Sequence, residues 1–549
     1  MRKLVTLLLA AMMLFGLCSM AHAEPIEITF APYMFGPLDP SRDIITPKIE
    51  EILREKYGID VKLTNVYVEY PNYKEIINTR IAGGTAPDIW LGQNESGIRE
   101  YYNQGVIASW TREFFEENAP NVAAFINNGG SRNAFDQNAI DRWWKGSTIA
   151  TDDGKMVTLP SPLGDKPYGQ KGVVYRGDWI DKLGVDKDNL PYEIDDFVAL
   201  MRRFVNEDPD GNGKNDTFGF STSMIKAFFT AYGVYSSFGP SISGSSFNSQ
   251  WYVQDDGIVR NADTLPGAKA ALEICAKLYA EGLIDPEFIT GENTGGYWAI
   301  SQGFINGIYG VSAHASYDHF RFKEVLNDDG GPVAKEYWAV NGPDSKFYYG
   351  PWIAGPDGAH GYYLDNDYGL GESYVYNIAL EKNPEKLAAI LKILDAFAVD
   401  EELMLLAAYG IEGETFEWTE FGSPRFLLAN DEMNAVGVMA TRSIYGPNNT
   451  YNAQQTEYSF YNNPTVAARL NWQAKPYYDT YIRPDIVGTP KSTSTYQADL
   501  MAFRDETFIS IIKGELPIEY FDTFVTEYLA RGGQVLQDEA TQMYIDQNK

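Results

Sequence analysis

Residues 175–184 read Tyr-Arg-Gly-Asp-Trp-Ile-Asp-Lys-Leu-Gly, and residues 208–220 read Asp-Pro-Asp-Gly-Asn-Gly-Lys-Asn-Asp-Thr-Phe-Gly-Phe. A helical pattern over residues 194–206 joins the two segments. In the second segment, side-chain oxygens recur at alternate positions, so a tightly curled backbone turns them toward one side. Gly213 stands where an EF-hand loop needs its sharp turn. The stretch therefore predicts a helix, a metal loop and a strand in succession.

The metal loop offers a dense set of oxygen donors. The donors are the side chains of Asp208, Asp210, Asn212 and Asp216 and the backbone carbonyl of Lys214. Hard oxygen ligands favour calcium over zinc or copper. The twelfth loop position, where an EF-hand carries a bidentate Glu, holds Gly219, so a further ligand would come from Thr217, from water or from elsewhere. We predict a structural calcium ion, and a polar turn that binds no metal is the alternative.

The composition indicates a large soluble protein with several cores. A chain of 549 residues is too long for one simple core, so two or more domains are expected. Aromatic residues make up 14% of the chain, with 37 Tyr and 11 Trp. This excess suits a protein that stacks rings on a ligand, although aromatic side chains also fill large cores.

The N-terminus is typical of a secretory signal peptide. It has basic residues at positions 2–3, an apolar run over residues 4–17 and Ala-His-Ala at residues 21–23. We expect cleavage after residue 23 and an extracytoplasmic protein, either periplasmic or secreted to the cell surface. Lipid attachment at Cys18 is the alternative, which the large preceding residue Leu17 disfavours.

The charge of the mature chain limits the classes of partner that it can bind. The whole chain carries a formal charge of −31, and removal of two basic residues from the 44 leaves 42 against 75 acidic ones, or −33. Such a surface repels nucleic acid and anionic membranes, and it disfavours a receptor for polyanions. Only Cys275 remains in the mature chain, which excludes a disulfide framework and favours a core position for it.

The first part of the chain alternates between strand and helix patterns. Strands are predicted at residues 26–30, 61–68 and 88–91, and helices at 47–57, 73–82 and 96–104. This alternation predicts an open, mostly parallel α/β sheet, in which ligands bind beyond the carboxyl ends of the strands. Tyr33 and Asn94 follow two of these strands and are therefore candidate ligand contacts. Further on, residues 304–311 are predicted as a strand, and the chain beyond residue 430 as mainly helical.

Catalytic motifs are weak. The mature histidines are His314, His319 and His360, without a zinc-binding spacing, and the chain has no nucleophile elbow, P-loop or dinucleotide fingerprint. No carboxylate pair stands out among the 75 acidic residues. These observations point away from an enzyme.

Residues 175–184, the following helix and residues 208–217 closely resemble extracellular solute-binding proteins of carbohydrate ABC importers. The nearest group is the large lipoprotein-type binding proteins, which include the alginate-binding proteins. Weaker similarity covers Ala-Gly-Gly-Thr-Ala-Pro-Asp-Ile at residues 82–89, Phe-Ile-Asn-Gly-Ile-Tyr-Gly at 304–310, and residues 386–402.

The resemblance implies an α/β, two-lobe periplasmic-binding-protein-like (type II) fold with a hinge, an interlobe cleft and a helical C-terminal part. Residues 24–171 and 345–420 would form the N-terminal lobe, and residues 172–344 and 421–549 the C-terminal lobe. The calcium role then falls on Asp208, Asp210, Asn212, Lys214 and Asp216. Relatives carry an acidic residue after the last of these, where this chain has Thr217.

The function implied is capture of an oligosaccharide by hinge closure, followed by docking of a monomer on ABC transporter permease subunits. The ligand contacts expected are Tyr33, Asn94, Arg176, Tyr317 and Trp352. Pairing of Arg176 with a carboxylate near the hinge is the alternative for that residue. Two other functions stay open, namely a secreted glycoside hydrolase or polysaccharide lyase and a binding protein for a peptide or another non-sugar ligand.

Overall fold

The computed structural model describes residues 24–548 apart from a set of internal segments. Those segments are 33–35, 37, 69–71, 94, 131–136, 149, 152, 161–172, 239–250, 290–300, 314–319, 321–329, 364–372, 446–451, 453, 455–457, 459–480, 483–484 and 487. The expected signal peptide and Cys18 lie outside the described residues. Among the helices of the described ranges, none combines the length and apolar content that a membrane crossing requires.

Strands and helices alternate through the first part, and helices dominate the end of the chain. The strands are β1 Ile26–Ala31, β2 Val61–Asn65, β3 Ile89–Gln93, β4 Val173–Arg176, β5 Trp251–Val253, β6 Val259–Asn261, β7 Val311–Ser312, β8 Phe347–Gly350, β9 Tyr362–Tyr363, β10 Ser373–Tyr376, β11 Phe416–Trp418, β12 Pro424–Phe426 and β13 Tyr481–Ile482. The helices are α1 Thr46–Tyr57, α2 Tyr73–Ala82, α3 Glu95–Asn103, α4 Arg112–Asn118, α5 Pro120–Asn127, α6 Gln137–Thr148, α7 Gly177–Lys182, α8 Ile194–Asn206, α9 Thr222–Ala231, α10 Pro266–Ala280, α11 Gln302–Ile305, α12 Pro332–Asn341, α13 Pro384–Val399, α14 Glu401–Ala408, α15 Asn430–Ala435, α16 Val438–Tyr445, α17 Thr493–Ile512, α18 Tyr520–Tyr528 and α19 Gln534–Gln547.

The first sheet has the strand order β10-β3-β1-β2. Strand β1 pairs in parallel with β2 and β3, whereas β10 returns from much later in the chain and pairs antiparallel with β3. Helices between these strands cover the sheet and complete a core that includes Phe30, Ile49 and Trp90. The α/β architecture expected from the alternating patterns is thus confirmed.

The second sheet has the order β7-β4-β8, with antiparallel pairing on both sides of β4. All four residues of β4 are buried. Helix α8 packs its apolar face on this region because Phe197, Met201 and Phe204 recur at helical spacing. Helices α10 and α17 to α19 add to the same core, so the C-terminal part is helical as expected.

Two large hydrophobic cores, accompanied by two smaller clusters, divide the part of the chain that the structure describes. The first draws its residues from 28–157 and 374–438, and the second from 173–353 and 486–540. The chain therefore passes from one core to the other between residues 157 and 173, returns between 353 and 374, and passes again between 438 and 486. Several chain segments crossing between two cores are the usual basis of a hinge.

Two segments pack with a different lobe from the one that the sequence predicted for them. Strand β8 pairs residue by residue with β4, so it belongs to the second lobe. Met433, Val436 and Val438 pack into the first core. The corrected boundaries follow from pairing and packing partners that are distant in sequence.

The segment 304–311 is not the continuous strand that was predicted. Helix α11 covers its start, Gly307 has a φ of +74°, and only Val311–Ser312 pairs with β4. The helical turn leaves the carbonyl oxygens of Phe304 and Ile305 available to a side chain from β4. A strand would have used these groups in a ladder.

Candidate functional site

The predicted metal loop is tightly curled in the structure. Asp208 has a φ of +46°, which is the left-handed region, and Gly211 and Gly213 have φ of +78° and +76°. The backbone N–H of Gly213 donates to both carboxylate oxygens of Asp208 at 3.3 Å. The N–H of Lys214 donates to the Asn212 side-chain oxygen at 2.7 Å. Glycines at the two turns are therefore required by the backbone as well as predicted by the motif.

An amide nitrogen lies between two loop carboxylates. The Asn212 Nδ2 is 2.5 Å from Asp210 Oδ2 and 3.0 Å from Asp216 Oδ1. An N–H donor at this position offsets part of the repulsion between the two carboxylates. The donor set is entirely oxygen apart from this nitrogen, so its chemistry fits calcium.

The loop carboxylates are not gathered on a single point. Within the described ranges, no group of three or more His, Cys, Asp and Glu side chains is arranged to hold a metal ion. Burial opposes the ionisation of Asp208, but its contacts with Asp210, with the N–H groups of Gly213 and Gly211 and with Lys182 outweigh burial and lower its pKa. An ion would therefore meet an ionised Asp208 but would have to draw the loop carboxylates together.

Thr217 and Gly219, at the end of the loop, both pack against the protein core. A Cβ at Gly219 would lie 2.9 Å from Met201 Cβ and 3.0 Å from the Leu283 carbonyl oxygen, so no glutamate fits at the twelfth position. The Thr217 hydroxyl is buried and donates to the Phe204 carbonyl at 2.8 Å. The loop thus departs from an EF-hand because its exit segment packs directly on α8.

Arg176 lies at the end of β4 in a buried network. Its Nη1 donates to the carbonyl oxygens of Phe304 at 2.8 Å and Ile305 at 3.2 Å. Its Nη2 donates to Asn341 Oδ1 at 2.8 Å and Asp178 Oδ2 at 2.6 Å, and its Nε donates to Asp178 Oδ1 at 3.1 Å. These bonds occupy all five donors of the guanidinium. The side chain, 3% exposed, therefore joins β4 to α7, α11 and α12.

Of the other four residues expected to contact the ligand, one is buried and three lie outside the described residues. Trp352 is 3% exposed and packs within the second core. Tyr33, Asn94 and Tyr317 lie outside the described residues. Of the five expected contacts, the structure places Arg176 and Trp352 in the second lobe, and both are buried there.

A cavity of about 30 Å³ lies inside the second lobe. Its polar lining includes Arg504, Asp263, Thr493 and Gln497. This volume accommodates about two or three water molecules and is too small for an oligosaccharide. Sequence reasoning missed this polar cluster, although the position of Arg504 within the apolar stripe of α17 was a signal for it.

No family model matches the sequence. The polygalacturonan/rhamnogalacturonan-binding protein YtcQ of Bacillus subtilis is 24% identical over 323 residues, which is 56% of this chain and 56% of YtcQ. The lipoprotein LipO of the same organism is 24% identical over 76% of this chain and 74% of its own length. The fructooligosaccharide ABC transporter substrate-binding protein FusA of Streptococcus pneumoniae is 23% identical over 48% of this chain and 45% of FusA. The chain thus spans about half the length of two of these relatives.

Solved structures match nearly the whole chain. The alginate-binding protein AlgQ2, in a crystal structure without calcium ion, superposes with a TM-score of 0.63 over 95% of this chain and 98% of AlgQ2, at 17% identity. The chain has the fold of a two-lobe solute-binding protein. An oligosaccharide-binding ABC-transporter-associated solute-binding protein from Bifidobacterium longum infantis gives a TM-score of 0.63 over 95% of this chain and 99% of its own, at 15% identity. The solute-binding fold and the resemblance stated from the sequence are thereby confirmed.

Proposed function

We propose that the protein is an extracytoplasmic substrate-binding protein of an ABC importer that captures an oligosaccharide between its two lobes. The observation that carries the proposal is the pair of cores linked by repeated chain crossings, in a fold shared over nearly the full length with oligosaccharide-binding proteins. The relatives YtcQ and FusA, which are named as binding proteins, support a sugar ligand.

The mechanism proposed is hinge closure without chemistry on the ligand. A sugar that contacts both lobes binds the closed state more tightly than the open state, so it shifts the population toward closure. The closed form then docks on a permease, and no bond of the ligand is broken. We propose that this takes place outside the cytoplasm, after cleavage behind residue 23, and that the protein acts as a monomer.

The function is tested by a panel of oligosaccharides in calorimetry and thermal unfolding. We expect a neutral oligosaccharide to raise the Tm as its concentration rises, because a ligand at about 100 times its Kd adds about 2.7 kcal/mol to stability. The mature charge of −33, from 42 basic and 75 acidic residues, makes fructooligosaccharides better candidates than polygalacturonate. Sustained turnover of a sugar would favour an enzyme, and a response to peptides alone would favour a non-sugar receptor.

We also propose a structural calcium ion in the loop of residues 208–216. Asp208, Asp210, Asn212, Asp216 and the Lys214 carbonyl would hold it, and water would complete the coordination. The donor chemistry and the curled backbone support this assignment. Among the structural neighbours, AlgQ2 is described without calcium ion and one FusA structure is described as an EF-hand mutant. When bound, the ion supplies charge that holds the carboxylates together.

Removal of calcium is expected to lower the Tm by about 5–10 °C, since loss of a ligand present at about 100 times its Kd removes about 2.7 kcal/mol. The measurement is thermal unfolding with and without a chelator. The double substitution Asp208→Ala/Asp210→Ala should abolish the response, whereas Asp188→Ala, an exposed carboxylate outside the loop, should retain it. Absence of bound metal by elemental analysis, together with no chelator effect, would contradict the assignment.

A further inference from the structure

Lys182 reaches from the end of α7 onto the metal loop. Its Nζ donates to the carbonyl oxygen of Asp208 at 2.6 Å. The N–H of Gly211 donates to the same oxygen at 3.2 Å. A Cβ added to Gly211 would lie 2.8 Å from the lysine nitrogen, so the ammonium group packs against the first turn of the loop.

The lysine is positioned by its helix. Helix α7 begins at Gly177, next to the bidentate contact between Arg176 and Asp178, and it ends at Lys182. A basic residue in the last turn is also favoured by the helix dipole. The ammonium group is thus brought to the loop by an element that the buried Arg176 network fixes to the second lobe.

We propose that Lys182 is an internal cation that keeps the loop curled when calcium is absent and lowers the affinity of the loop for calcium. The inference rests on the calcium site proposed above. The positive charge of Lys182 stabilises the metal-free loop and destabilises the metal-bound loop. A charge-assisted hydrogen bond to the Asp208 carbonyl stabilises the metal-free loop. In the metal-bound loop, the same positive charge repels the ion.

The charges of the loop determine the sign of the second effect. Asp208, Asp210 and Asp216 provide three carboxylates, and calcium neutralises two negative charges. Lys182 contributes one positive charge at the loop entrance, and the Lys214 side chain contributes another on the loop itself. Loss of the Lys182 charge therefore leaves a more negative site, which binds a divalent cation more tightly.

The test is Lys182→Met, which keeps the aliphatic part of the side chain and removes the charge. Calcium titration by calorimetry at low salt should give a Kd about 3- to 10-fold lower than that of the unmodified protein. In chelator, the variant should unfold about 2–4 °C below the unmodified protein, because the hydrogen bond to the loop is lost. Salt at about 1 M should reduce the difference in Kd, since it shortens the screening length to about 3 Å.

Two further variants serve as controls. Lys187→Met removes an exposed lysine that pairs with Asp188, and it should leave both the Kd and the Tm in chelator unchanged. Lys182→Arg retains the positive charge and should keep the Kd close to that of the unmodified protein. A Kd and a Tm for Lys182→Met equal to those of Lys187→Met would overturn the inference alone. No calcium binding by any of these proteins would overturn both the calcium site and this inference.

Discussion

Replacement of Asp263 by alanine is expected to destabilise the second lobe by about 3–5 kcal/mol, because it leaves a buried arginine without its main counter-ion. Asp263 Oδ2 lies 3.0 Å from Arg504 Nη1, and both side chains are almost fully buried. Burial disfavours the charged guanidinium, but the carboxylates of Asp263 and Asp505 outweigh burial and raise the pKa of Arg504. The Ser236 hydroxyl also donates to Asp263.

Urea unfolding followed by tryptophan fluorescence measures the effect, and the matched control is Asp256→Ala. Asp256 pairs with Arg260 at 2.7 Å on the nearby β5–β6 hairpin, but it is half-exposed. Its removal should leave the urea midpoint nearly unchanged, since exposed ion pairs contribute little. The double variant Asp263→Ala/Arg504→Met should cost less than the sum of its two single variants, because the partners are coupled. A loss for Asp263→Ala as small as that of the control would contradict the prediction.

Replacement of Arg176 by methionine is also expected to cost about 2–4 kcal/mol, without a change in the sugar affinity of the folded protein. The variant leaves Asn341 Oδ1 without its donor, and it reduces the carbonyl oxygens of Phe304 and Ile305 to one remaining bond each, from the Gly307 N–H and from Asn341 Nδ2. Since all five guanidinium donors are used within the protein, their loss affects packing of the second lobe rather than a ligand contact.

Two measurements on the same variant separate these roles. Urea unfolding gives the stability, and calorimetry under native conditions gives the Kd for the sugar that the unmodified protein binds. Arg202→Met, which removes an exposed arginine paired with Glu281, should change stability by no more than about 1 kcal/mol. A large loss of sugar affinity with little loss of stability would instead assign Arg176 to the ligand, as the resemblance implied.

Much of the local structure follows from patterns within short stretches of the sequence. Helix α8 covers Ile194–Asn206 and α2 covers Tyr73–Ala82, both with the bounds that periodicity predicts. Strand β1 and its parallel partners follow from alternating strand and helix patterns. These elements could be predicted because their apolar spacing is contained within one helix or strand.

The segment 304–311 shows where this reasoning fails. Its apolar residues suggested a strand, but Gly307 in the left-handed region and the helical turn of α11 break it. The turn is maintained by Arg176, which lies more than a hundred residues earlier and binds two of its carbonyl groups. A partner so distant along the chain leaves no local pattern.

The curl of the loop at residues 208–216 was predictable because its donor pattern and its backbone turns are both local, whereas the calcium ion stays a prediction. Oxygen donors at alternate positions and the glycine at 213 are written in consecutive residues, and the structure curls the loop at that glycine. The sequence did not show why residue 219 is a glycine. Met201 and the Leu283 carbonyl, which belong to other parts of the chain, pack against this position and leave no room for a side chain.

The sequence by itself thus determined the α/β pattern, the helix Ile194–Asn206 with the curled loop that follows it, and the family that it resembles. The strand predicted after the loop was wrong, because Phe218 and Phe220 form only isolated bridges to Tyr309 and Ile284. Only the tertiary structure decided that β8 joins the second lobe, that Arg176 and Trp352 are buried, and that Lys182 contacts the loop. The physical reason is the range of the interactions. Periodicity and turn chemistry act over a few residues, whereas burial and ion pairing depend on segments that meet only when the cores form.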